Sequence, residues 1–171
     1  MKSIAFAAIL PALAIPAMAT AQRIGFDGIP PVRVGMTLRQ AESALHAKLT
    51  MNSETDSDPS ICATFYVEGR DVPISYMFEH GRVTRAALGD EGAKSSIKTA
   101  NGVGLGSTVA QIKRAYGRQG AWHPNTYTDE PVFEIKSTDG RSAILFYTEQ
   151  GRVTRIDAGR LPSAEYIEGC D

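Results

Sequence analysis

The feature that most constrains this chain is that two stretches of it are written twice. Gly35-Met36-Thr37-Leu38-Arg39-Gln40 recurs as Gly106-Ser107-Thr108-Val109-Ala110-Gln111, an offset of 71 residues. The block Gly81-Arg82-Val83-Thr84-Arg85 returns unchanged as Gly151-Arg152-Val153-Thr154-Arg155, an offset of 70. Two separated blocks at nearly one offset differ only by a one-residue loop indel, which is the signature of an internal duplication. The repeated cores fall at 30–92 and 101–160, with residues 93–100 joining them. With their flanks they divide the chain into 22–92, and 93–171 with a C-terminal tail.

Each unit opens with a helix start. Thr37 with Gln40, and Thr108 with Gln111, are capping boxes, in which the Thr hydroxyl accepts from the third helical N–H while Gln reaches back. Leu38, Ala41, Leu45 and Leu49 then fall at helical spacing, as do Val109, Ile112 and Tyr116. The first helix is expected to fray out near Thr50, and Gly117 offers the second a left-handed C-cap. Strands are predicted at 62–67, 72–78 and 82–88, and again at 132–136, 142–148 and 152–158, separated by Gly-containing turns. Ile74, Tyr76 and Phe78 alternate, as do Ile144 and Phe146, so these should face the helices. Val153 and Ile156 stand three apart, which implies either a bulge or cover on both faces. The predicted class is α+β: two tandem αβββ repeats, with short helices packed on one face of antiparallel sheet.

The opposite face would carry Tyr66, Met77, Arg85, Leu145, Tyr147 and Arg155. Strand propensity alone accounts for such a set; a partner-binding surface is the other reading. A second candidate is the segment from Ala121 to Tyr127, which holds the sole tryptophan, Trp122, together with His123 and Tyr127. Aromatic side chains on a connection either anchor an interface or stack on a sugar. Trp122 tucked between helix and sheet as packing is the alternative.

Compartment follows from the first residues. Lys2, the apolar run 4–15 and the small residues around Ala19 and Ala21 form a secretory signal peptide over 1–21, cut near Ala19 or Ala21. The apolar run is too short for a spanning helix, and the absence of a cysteine near the cut argues against a lipid anchor. The expected location is periplasmic or secreted. Cys62 and Cys170, the only two cysteines, would then meet an oxidising environment and pair. That bond would fasten the tail onto the first half of the fold. Closing a loop of ~100 residues removes about 4–5 kcal/mol of unfolded-chain entropy in the simple model. A net charge of −1 gives no overall attraction for phosphate backbones or anionic lipid, so no nucleic-acid partner is expected.

Motifs of catalysis are missing. His46, His80 and His123 show no metal-ligand spacing, and no G-x-S-x-G elbow is present. No catalytic residue, metal or cofactor is assigned. The Gly-rich run 102–108 opens a helix and is able to cradle an anion, but tight-turn geometry explains it without a ligand. The acidic stretch 52–58 lacks the Gly and Glu of a calcium loop and reads as solvated connection.

The GMT-type helix start followed by hairpin strands ending in F-x-x-G-R-V-T resembles the small outer-membrane assembly lipoproteins of the SmpA/OmlA type. Two tandem copies in an exported chain resemble the β-lactamase inhibitor protein family. The matching stretches are 35–45 with 76–85, and 106–116 with 146–155. The resemblance implies a concave sheet that grips another protein. This chain departs from both groups in lacking the lipoprotein cysteine and in having one disulfide, not one per repeat. The expectation is therefore an exported, non-catalytic binding module, of inhibitor or envelope-assembly type, with a protein partner in the cell envelope. Binding of cell-wall glycan or another carbohydrate is the alternative, and a small envelope hydrolase a more distant one.

Overall fold

Both helix starts form as their capping boxes dictate. In the computed structural model, which describes residues 22–51, 58, 60–69, 74–89 and 93–170, Thr37 Oγ1 accepts from the Gln40 amide at 3.4 Å. Gln40 Oε1 in turn accepts from the Thr37 amide at 2.9 Å. Thr108 and Gln111 repeat the exchange at 3.2 and 2.8 Å. The expected signal peptide and nearly all of the acidic stretch 52–58 lie outside the described residues.

In chain order the elements are β1 (Arg23–Ile24), α1 (Leu38–Leu45), β2 (Leu49–Met51), β3 (Cys62–Val67), β4 (Ile74–Glu79) and β5 (Arg82–Leu88). There follow β6 (Lys98–Thr99), α2 (Val109–Tyr116), β7 (Gly120–His123), β8 (Val132–Lys136), β9 (Ser142–Glu149) and β10 (Arg152–Arg160). A short 3-10 turn, Ser163–Glu165, ends the series. One antiparallel sheet of eight strands runs β2-β3-β4-β5-β10-β9-β8-β7, and β1 pairs with β6 in a separate parallel pair. The class is α+β. Each helix is followed by four strands of the large sheet, one more than the sequence suggested.

The additional strand in each half is the short edge strand β2 or β7. Leu49 belongs to β2, paired with Val67, and not to the first helix. That helix stops because His46 turns left-handed, at φ 51° and ψ 37°. Gly117 ends α2 with a positive φ of 52°, but its ψ of −118° lies outside the left-handed helical basin expected of it.

The two kinds of repeated block touch each other in space. The Gly35 amide donates to Val83 O at 2.7 Å, the Val83 amide to Met36 O at 2.9 Å, and the Arg82 guanidinium to Gly35 O at 2.9 Å. In the other half Gly106 donates to Val153 O at 2.8 Å, Val153 to Ser107 O at 2.8 Å, and Arg152 to Gly106 O at 3.0 Å. Gly35 and Gly106 take φ of 90° and 76°, where a side chain would be strained. The residues written twice are thus those that dock a helix start onto the beginning of a strand.

Pairing shifts register beside Thr84 in β5 and beside Thr154 in β10. The second bulge is what places Val153 and Ile156 on one face despite their spacing of three. That face, with Tyr76, Phe78, Val83, Phe133, Ile144 and Phe146, packs on Ala41 and Leu45 of α1 and Ile112 and Tyr116 of α2 as one core.

The other face is crossed by the chain end. Arg85 donates to Ser163 O and Tyr166 O, the Ser163 hydroxyl to Glu79, and Cys170 is bonded to Cys62. The expected disulfide is therefore present, and residues 161–170 are strapped across the sheet. Among the described residues no helix is long and apolar enough to cross a membrane.

Candidate functional site

The strap divides the face that the sequence left open. Met77 is 1% exposed and Arg85 4%, and Leu145 is buried beside Ala164. These positions cannot meet a partner in this structure, which corrects the expectation of an open face at its centre. The physical reason is the tail, whose carbonyls take the Arg85 hydrogen bonds.

Arg155 and Tyr147 remain partly accessible, but each has an internal task. Asp157 is fully buried and accepts from Arg155 Nε at 2.7 Å and Nη2 at 2.8 Å, with Arg85 Nη1 3.7 Å away. Tyr147 lies 5.3 Å from the Arg155 guanidinium. Burial, assisted by the charge of Asp157, pushes the Tyr147 phenol up to about 12. Tyr66, 46% exposed, lies on the same face.

The Trp122 segment is not a loop at its start. Gly120–His123 pairs with β8 as an edge strand, so consecutive side chains go to opposite faces. Trp122 turns to the helix side, 4.9 Å from the Phe133 ring and with Lys113 Nζ 5.9 Å from its centroid. Of the two readings for Trp122, the structure shows packing. His123 turns the other way, toward the tail. Tyr127, 61% exposed, donates its hydroxyl to Glu168 of the tail. His123, Tyr127, Tyr147 and Arg155 are therefore grouped on the tail side of the second half, and Tyr66 lies near enough to act electrostatically on Arg155.

Between β7–β9 and the tail opens a cleft of about 300 Å³. Its floor is Val132, Glu134 and Leu145, its sides are His123 and Tyr147, and Glu165 and Ile167 of the tail close it. Glu134, 5% exposed, has Oε2 2.9 Å from His123 Nε2 and Oε1 3.3 Å from Lys136 Nζ. Lys136 is shared with Glu165 at 3.2 Å. Burial raises the Glu134 carboxyl above its ordinary range; the neighbouring Glu165 adds to this and Lys136 opposes it. Burial also works against ionisation of Glu165, yet its bonds to Glu134 and Lys136 prevail and hold it below the usual value. Lys136 is raised, first by its hydrogen bond to Glu165 and then by Glu134.

A histidine against a buried carboxylate is a pairing that general acid–base chemistry uses. Among the described residues no Ser, Thr or Cys lines this cleft to serve as a nucleophile, and no three metal-ligating side chains converge. In the Gly-rich run, the amides of Gly102, Gly104, Gly106 and Ser107 are all bonded within the protein, as a tight turn requires.

Glu134, Lys136, Glu165 and Asp157 were not singled out by the sequence. The available signal was the alternation of Glu134 and Lys136 with Phe133 and Ile135, which puts two charges on one face of a strand. No family model matches the chain, and neither the curated proteins nor the solved structures contain a match.

Proposed function

We propose that this chain is an exported, non-catalytic binding module, built from two copies of one helix-and-sheet unit, that engages a protein in the cell envelope. The contact region is the cleft and its rim: His123, Tyr127, Tyr147 and Arg155, with Tyr166 and Ile167 from the tail. Trp122 packs on the helix side of the strand that carries His123, and Met77 and Arg85 lie buried outside the contact region. One observation carries the reading: exposed Ile167 lines the cleft, exposed Tyr127 and Tyr166 lie on the segments that border it, and the disulfide ties the tail to this face. Aromatic groups around a desolvated pocket are the usual anchors of protein recognition. Export is supported by the pattern of residues 1–21 together with the Cys62–Cys170 bond. Duplication is supported by the same hydrogen bonds recurring at both pairs of repeated blocks.

Site-specific photo-crosslinking in the native envelope tests this. A photoreactive residue at Tyr127 is expected to give a discrete protein adduct, and one at exposed Arg118 on the helix side is expected to give none. Absence of an adduct at Tyr127, or co-sedimentation with cell-wall glycan in its place, would overturn the protein-binding reading.

A further inference from the structure

The charges in the cleft are incomplete as they stand. Glu134 and Glu165 share one ammonium, that of Lys136, at 3.3 and 3.2 Å. When both carboxyls are ionised, two carboxylates thus face one ammonium, with the His123 ring beside Glu134. Glu134 Oε1 is shut off from solvent and makes no aligned hydrogen bond, although a buried carboxylate oxygen is costly without one. Around these carboxylates most of the lining is hydrocarbon, from Val132, Leu145, Pro124, Ile167 and the Tyr147 ring, with Asn125 a polar exception. Apolar walls leading to a negative end accommodate a long side chain that buries its stem and pairs its head.

We infer that the cleft binds an organic cation carried on an apolar stem, an alkylammonium or alkylguanidinium. The head pairs with Glu134 and Glu165, and the stem lies along Leu145 and Ile167. This rests on the binding role proposed above and specifies the partner's contribution, a Lys or Arg side chain. An anion meets two carboxylates there, and a neutral stem leaves Glu134 Oε1 as it is. Lys136 is then an internal occupant of the place where the ligand's charge belongs, so it competes with the ligand.

That competition gives two variants of opposite sign. The oxidised full-length protein is titrated with 1-butylammonium, with 1-butanol as the uncharged control, and with the capped tripeptides Gly-Lys-Gly and Gly-Arg-Gly. Amide shifts at His123, Leu145 and Ile167 are followed by NMR. Saturable shifts are expected with the cations and not with butanol. Tighter binding of a tripeptide than of the free amine marks a chain-borne source, and the reverse order marks a free amine. Glu134→Gln should weaken binding about tenfold and Lys136→Met should strengthen it about tenfold. A folding defect cannot produce both signs. No saturable shift by about 50 mM, weaker than ordinary small-ligand affinities, overturns the inference, as do two variants that move affinity in the same direction or leave it unmoved. If the Tyr127 adduct forms and is insensitive to Glu134→Gln, the binding role stands and the cation assignment falls. If the cations bind and the adduct is absent, the assignment stands and the protein partner falls.

Discussion

The two faces of the eight-stranded sheet are closed by different physics. On the helix side Tyr76, Phe78, Phe133, Phe146 and Ile156 are buried against α1 and α2 with no charged group among them. On the tail side Arg85, Glu134 and Asp157 are buried, under a strap held by hydrogen bonds, ion pairs and one covalent bond. Apolar burial is non-directional and grows with area. Buried charges must instead be matched group by group, and their net stabilisation is small even where each is indispensable. The first face is therefore closed by area alone, whereas the second depends on particular pairings.

The difference between the faces predicts effects of three sizes. Phe146→Ala removes a ring that touches both Tyr116 and Phe133. It should cost about 4 kcal/mol in urea unfolding, with both faces melting together. A loss confined to the helix side would mean the faces are independent. Asp157→Ala leaves Arg85 buried without its carboxylate, and should cost about 3 kcal/mol. A cost under about 1 kcal/mol would show that the tail carbonyls alone satisfy Arg85.

The smallest effect is on pH dependence. Because the Glu134 carboxyl is raised above 4.5, the folded chain holds that proton more tightly than the unfolded one. Its contribution is full below the ordinary carboxylate value and is lost as pH rises through the raised one. Glu165, which is lowered, acts in the opposite sense, losing its contribution as pH falls. Thermal unfolding of Glu134→Gln and the parent from pH 4 to 7 should therefore show the variant gaining on the parent as pH increases. A constant difference would mean that Glu134 ionises as an ordinary surface carboxylate.

The helix side was legible because its signals are periodic. Capping boxes named both helix starts, and alternation in 74–78 and 144–146 named the buried face. Pairing of Cys62 with Cys170 was legible as well, since only two cysteines exist. What the sequence did not disclose was the course of the tail between them. Residues 161–170 have no period, and they are held by a carbonyl on Arg85, a hydroxyl on Glu79 and a carboxylate on Lys136. Such contacts depend on three-dimensional proximity and leave no pattern along the chain. The same reason hid the cleft: Glu134 reads as an ordinary outward strand residue until Glu165 and Ile167 are laid over it. The short strands β2 and β7 escaped because three or four residues are too few to show alternation.

β10 follows every other described strand in the chain, yet it lies in the middle of the sheet, bonded to β5 on one side and β9 on the other. A polypeptide terminated ahead of Arg152 would carry two bare ladders, each an adhesive template for any extended neighbour. Residues 152–160 are thus a keystone, and a product cut ahead of them is an aggregation hazard.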